Sequence, residues 1–182
     1  MADLIALLRG INVGGAKRVV MADLRALLGD LGFGAALTLL QSGNVVFDAG
    51  GADPDAVERQ LEATLEERLG LKIAVFVRTA SAWDGVIAAN PFPAEAENDP
   101  GRLLVLALKR APAPESVKAL HAAIPGRETV KACDRHAYAM FPDGIGPSRL
   151  TPAVLERHLG PCTGRNWNTV LKLAAATRSR AN

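Results

Sequence analysis

The chain has 182 residues, 49% hydrophobic and 22% charged, with a formal net charge of +2. That length suits one large domain or two small ones, enough to bury roughly 70% of the extended surface without metal or disulfide staples, and the composition is that of a folded, soluble protein. The longest wholly apolar run, Leu103 to Leu108, falls far short of the ~20 residues of a membrane span. The start, Met1-Ala2-Asp3-Leu4, has no basic stretch before its short apolar run, so a cytoplasmic location is expected.

The elements follow in chain order. Leu4 to Leu8 is a continuous apolar run closed by Arg9-Gly10, the pattern of a strand covered on both faces. Leu24, Leu27, Leu28 and Leu31 recur at helical spacing before the stop at Gly32. Leu37 to Gln41 and Asn44 to Phe47, joined by Ser42-Gly43, read as a hairpin. Asp53-Pro54 supplies an N-cap and a first-turn proline for a helix with Leu61, Leu65 and Leu69 inward, Glu58, Glu62, Glu66 and Glu67 forming its expected solvated face. Ile73 to Val77 closes the series as a strand. The order βαββαβ is a ferredoxin-like arrangement, in which the first and third strands are central antiparallel neighbours.

Thr79 or Ser81 can cap a further helix carrying Trp83, Val86 and Ile87, ended at Asn90-Pro91. Residues 90–101 hold three prolines and three acids and read as a linker. A strand over Leu103 to Leu108, a helix after Pro114, strands over Glu128 to Cys133 and His136 to Phe141, and a helix from Thr151-Pro152 to His158 then repeat the pattern. No fourth strand is readable, and a last helix from about Asn168 to Thr177 takes its place. The expectation is an α+β protein of two ferredoxin-like (α/β-plait) halves, antiparallel sheets with helices packed on one face. Residues 1–89 form the first half and residues 102–182 the modified second half.

Several chemistries lack their residues. Cys133 and Cys162 have no CxxC partner or ligand-spaced histidine, and His121, His136 and His158 form no HxxxH pair, so no metal site is expected. There is no GxSxG elbow and no cofactor signature. From Arg149 onward six basic residues face one acid, leaving the rest net acidic. Attraction within the fold accounts for this more simply than an anionic partner for the tail.

The segment Arg9-Gly10-Ile11-Asn12-Val13-Gly14-Gly15-Ala16-Lys17-Arg18 joins a strand to a helix. Its glycines let backbone N–H groups approach an anion while Lys17 and Arg18 add charge. Lys17 is one place late for a Walker A loop, no Ser or Thr follows it, and GxGxxG is not met. Paired glycines that merely permit positive φ remain the competing explanation. If the first and third strands are neighbours, Arg9 to Asn12 lie beside Gln41-Ser42-Gly43-Asn44. Together they hold donors suited to phosphate or carboxylate but no carboxylate to act as a base. Stabilising their own turn is the competing account of Ser42 and Asn44. A second donor cluster, Arg165-Asn166-Trp167-Asn168-Thr169, precedes the last helix, where Asn166 or Asn168 could be a cap. The candidate ligand residues are therefore Arg9, Asn12, Gly14, Gly15, Lys17, Ser42, Asn44, Arg165, Asn166 and Asn168, with no catalytic residue assigned.

The pieces Leu7 to Gly15, Gln41 to Phe47, Asn90-Pro91-Phe92, Pro142-Asp143-Gly144-Ile145-Gly146 and Arg165 to Val170 resemble the successive motifs of a bacterial domain of unknown function, DUF 1697, from about residue 3 to 174. The resemblance implies a cytoplasmic protein with two plait-like domains and supplies no reaction, substrate or cofactor. Ala16 and Pro147 stand where that pattern commonly has basic residues.

Three functions are compatible with the sequence. The first is binding of a small phosphorylated or carboxylated ligand. The second is a module that forms homodimers through the sheet edge left by the missing strand. The third, nucleic-acid binding, is disfavoured because it needs aromatics on the central strands, and aromatics make up 4% of the chain.

Overall fold

The computed structural model describes residues 3–15 and 17–181. Ala16 and the first two residues lie outside the described residues. The chain divides into two compact units, residues 1–85 with 172–182 and residues 86–171.

In the first unit, β1 (Asp3–Leu8), α1 (Met21–Asp30), β2 (Gly34–Leu39), β3 (Asn44–Asp48), α2 (Pro54–Leu69) and β4 (Val75–Thr79) form an antiparallel sheet in the order β2-β3-β1-β4. Leu4, Ala6 and Leu8 of β1, Val45 and Phe47 of β3, and Val75 and Val77 of β4 make one core with Leu24, Leu27 and Leu28 of α1 and Val57, Leu61 and Leu65 of α2. Alternation along a strand sends the intervening residues to the opposite face. There Ile5, Leu7, Val46 and Phe76 are buried as well, which is why β1 reads as an unbroken apolar run.

The acidic face of α2 differs from the expected solvated one. Glu58 is buried and accepts from Val77 N–H at 2.8 Å, while Glu62 accepts from Val75 N–H at 2.9 Å. β4 is an edge strand, so its outward N–H groups need partners, and two carboxylates one helical turn apart supply them. Arg78 lies 4.0 Å from Glu58 and donates to Val77 O at 2.7 Å, completing the clamp. Thr79 caps the next helix, α3 (Ala80–Ala88), by accepting from Ala82 N–H at 3.0 Å.

In the second unit, the stretch expected to be a linker contains α4 (Pro93–Asn98). It is followed by β5 (Leu103–Leu108), α5 (Pro114–Ala123), β6 (Thr129–Cys133), β7 (His136–Met140), α6 (Pro152–Leu159) and β8 (Cys162–Asn166). The sheet order β6-β7-β5-β8 reproduces that of the first unit. Leu106, Leu108, Leu120, Phe141, Leu155 and Leu159 form its helix-side core. The absence of a fourth strand is thus overturned: β8 pairs with β5 from Leu104↔Asn166 to Leu108↔Cys162. Cys-Thr-Gly-Arg-Asn has little intrinsic strand preference, and its pairing comes from the neighbouring apolar strand. A Cβ at Gly164 would lie 3.1 Å from Leu106 Cδ2, so glycine here lets β5 pack close. The last helix, α7 (Trp167–Ala181), begins in the second unit, while residues 172–182 cluster with the first.

The two halves match residue for residue at one point. Arg78 of β4 pairs with Ile5 of β1, and Arg165 of β8 with Val105 of β5. Both arginines are buried and both donate to the preceding residue's carbonyl. Each is followed by a capping residue that opens a helix. No helix among the described residues is long and apolar enough to cross a membrane.

Candidate functional site

The end of β1 and the β2–β3 turn meet as the topology requires. Leu8 N–H donates to Gly43 O at 2.8 Å, and Gly43 has φ +76° with an ideal Cβ 2.7 Å from Ile11 Cδ1 and 2.8 Å from Leu8 Cβ. No larger residue fits without moving the turn. Asn12 ties the two segments together: its Oδ1 accepts from Val19 N–H at 2.9 Å, and its Nδ2 donates to Val19 O at 3.0 Å and Gln41 O at 2.8 Å. The amide imitates a strand neighbour for Val19 and spends its donors on the backbone. Asn12 is therefore the brace of the loop.

Around this brace the loop doubles back through residues of positive φ: Asn12 (56°), Gly14 (60°), Gly15 (79°) and Lys17 (48°). Gly14 and Gly15 are exposed, and a Cβ on either would meet nothing within 4 Å, so glycine is favoured there by backbone conformation alone. Lys17 Nζ donates to Lys72 O at 2.8 Å, pinning the loop to the segment before β4. Burial of Val19 turns its neighbours Arg18 and Val20 outward, and both are exposed. The result is a depression of about 480 Å³ lined by Asn12, Gly15, Arg18 and Gln41. Among the described residues no carboxylate lines it. Arg18 and Gln41, which spacing alone does not single out, are its two exposed polar side chains. The sequence signal for Arg18 is its charge beside Lys17 at the end of the glycine loop, and for Gln41 its place at the start of the Gln41-Ser42-Gly43-Asn44 piece.

Of the remaining candidates, Ser42, Asn44, Arg165 and Asn166 spend polar side-chain groups on the protein itself. Arg9 is half-buried, with its backbone N–H donating to Ala74 O at 2.9 Å. Asn44 is fully buried, its Nδ2 donating to Leu39 O at 2.9 Å and Ser42 Oγ at 3.0 Å, so these two polar residues close the β2–β3 turn. Arg165, Asn166 and Asn168 belong to the second unit. Arg165 donates to Thr163 Oγ1 and Gly164 O, each at 2.9 Å; burial lowers its pKa to about 10, leaving it a cation at neutral pH. Asn166 is the cap of α7, accepting from Thr169 N–H at 3.0 Å and Thr169 Oγ1 at 2.9 Å. Asn168 is exposed in the first turn of α7.

Comparison with known proteins adds fold and kinship. No match was found among curated proteins. Among solved structures the chain is similar to one described as "The structure of conserved bacterial protein SP0830 from Streptococcus pneumoniae". The two share 22% identity with a TM-score of 0.75, over 96% of this chain and 97% of that one. At that identity the likeness speaks to the fold, and it covers both halves. The profile of a family described as "Protein of unknown function (DUF1697)" matches residues 1–138, a range that contains the glycine loop, the β2–β3 turn and the Asn90-Pro91-Phe92 piece. The chain accordingly belongs to the DUF1697 family.

Proposed function

We propose that the protein binds a small phosphorylated or carboxylated ligand in the depression between the glycine loop and the β2–β3 turn of the first unit. The observation that carries this reading is the lining: the exposed Arg18, a glycine-rich backbone and Gln41 around about 480 Å³, with no acidic residue. That volume is within the usual range for small-molecule sites. An arginine fork with nearby amide donors favours an oxyanion. Without a carboxylate or imidazole in the lining, binding is better supported than proton transfer. The two cysteines, both free thiols, fit the cytoplasmic location this reading assumes.

The test is thermal stabilisation by inorganic phosphate and methyl phosphate. A ligand at 100 times its Kd stabilises by ~2.7 kcal/mol, a rise of ~5–10 °C for a chain of this size. Arg18→Gln should remove the rise without changing the melting point of the free protein. An unchanged rise in that variant overturns the assignment.

A second reading, a homodimer, is favoured by one feature. With β8 in place the sheet edges are β2, β4, β6 and β8, and β2, whose Gly34–Leu39 carries no charge and no proline, contrasts with the carboxylate-clamped β4. Arg180 covers Ala35 O and Arg25 reaches the Thr38 hydroxyl, but an edge with no charge or proline of its own invites strand pairing with a second copy; concentration-dependent mass tests it. Sheet-face nucleic-acid binding gains no support, since Phe47, Phe76 and Tyr138 on the strands are buried and offer no stacking platform.

A further inference from the structure

We infer that the ligand of the depression is an amphiphile: an anionic head held at Arg18 with an aliphatic or aryl body lying across an apolar rim. The inference rests on the anion-binding reading above and goes on to name the ligand's class. Three of the exposed large hydrophobic residues stand close to the depression's lining residues in the chain: Val13 (66% exposed), Val20 (52%) and Leu40 (53%). Val13 follows Asn12, Leu40 precedes Gln41 and Val20 lies two residues beyond Arg18, so each is one or two Cα steps of ~3.8 Å from a lining residue. A single exposed leucine or valine carries no message. Three so close in the chain to the lining of one depression that also holds an exposed guanidinium are a mixed surface suited to a ligand of mixed character.

Leu40 adds a separate observation. Its φ is +60°, a conformation that is strained for a bulky side chain, yet the residue is left in solvent. Asparagine or glycine would hold the same turn more cheaply. The chain therefore keeps an aliphatic group at this rim against both its backbone preference and its hydration preference, and contact with an apolar partner would offset both. The size of the depression agrees, since about 480 Å³ is ample for a head group plus an organic body. Charge chooses the head: Arg9, Lys17 and Arg18 are basic, and no acid stands among residues 9–20.

The experiment compares methyl phosphate with octyl phosphate below its micelle concentration, by isothermal titration and thermal shift, with phosphatidylglycerol vesicles as a third probe. Burial of two methylenes against the rim is worth about tenfold in affinity, so octyl phosphate should bind at least tenfold more tightly than methyl phosphate. Leu40→Asn, which suits the left-handed backbone, combined with Val13→Ser should bring the ratio to near one while methyl phosphate binds as before. Equal affinities in the wild-type protein overturn the amphiphile and leave the anion site standing. Binding of neither phosphate removes both. Vesicle capture without any preference between the two soluble phosphates overturns the inference in favour of a membrane surface.

Discussion

Asn12 is the residue on which the candidate site depends mechanically, and its replacement separates two contributions. Three hydrogen bonds leave its side chain, two to Val19 and one to Gln41 O. Each neutral bond contributes about 0.5–1.5 kcal/mol net, and the Gln41 bond is solvent-exposed, which puts the sum near ~2–3 kcal/mol. Its backbone sits at φ +56°, where asparagine is tolerated but alanine costs a further ~1–2 kcal/mol. Asn12→Gly should therefore lose ~2–3 kcal/mol and Asn12→Ala ~3–5 kcal/mol. Asn12→Asp tests the direction of the bonds. Its carboxylate can still accept from Val19 N–H but would face two carbonyl oxygens where the amide donated, so it should be no better than glycine at neutral pH. As pH falls through the carboxyl pKa, ~3.9 when unperturbed, the acid regains one donor and part of the loss returns relative to Asn12→Gly.

The assays are urea unfolding for the free energies and amide exchange at Val19, the donor that loses its acceptor in both alanine and glycine variants. Exchange at Val19 should quicken while the β1–β3 amides stay protected in conditions where the unit is folded. If alanine and glycine variants are equal, and both lie within ~0.5 kcal/mol of wild type as an ordinary surface change does, the brace does not hold the loop. The depression then has no reason to be preorganised.

Glycine positions in the same loops should respond very differently. Gly43→Ala meets Ile11 and Leu8 at 2.7 and 2.8 Å and needs φ +76°, so overpacking and left-handed strain together should cost ~2–5 kcal/mol in urea unfolding. Gly14→Ala, at φ +60° with open space around it, should cost only ~1–2 kcal/mol; similar losses at the two sites would refute the close approach of the turn to β1. Tyr138 is the one tyrosine of the chain, and its hydroxyl donates to Val86 O at 2.5 Å. Burial, with a smaller push from Cys133, raises its pKa from 10.0 to about 12. The folded state holds the phenol proton more tightly than the unfolded chain, so this contribution is complete below pH 10 and is lost as pH rises toward 12. Tyrosinate absorbance in the folded protein should therefore appear with a midpoint near 12, and a midpoint near 10 without unfolding would contradict the burial.

The sequence discloses elements whose pattern is local. β1, β3 and β5 are apolar runs, α1 and α2 carry leucines at helical spacing, and Asp53 and Thr151 cap where expected. It conceals elements made by their neighbours. β8 contains glycine, arginine and asparagine and pairs because β5 presents an edge. β2 begins at Gly34 rather than Leu37 through an irregular register, and stops before Leu40, whose left-handed φ ends it. The site divides in the same way. That Arg9 to Asn12 adjoin Gln41 to Asn44 follows from strand order alone. The use of each amide does not, because Asn12, Asn44 and Asn166 offer the same donors to a ligand or to a backbone, and only the folded path shows that all three are engaged with the protein itself.

The parallel between Arg78 and Arg165 bears on how the two halves came to differ. At equivalent places beside the central strand, each fixes the same local arrangement: a guanidinium turned back on its own strand, then a cap, then a helix. That arrangement serves the fold, and its repetition in both units argues that Arg165 belongs to the architecture and not to a ligand site. The glycine loop has no such counterpart. Where β1 leads into Gly10, Gly14 and Gly15, β5 leads through Lys109-Arg110 to Ala111, Pro112 and Ala113, and α5 opens at Pro114; the two prolines stiffen the connection and withhold backbone donors. The two halves thus differ at this strand-to-helix loop, and that difference is the ground for looking for ligand at Arg18 and Gln41 of the first unit.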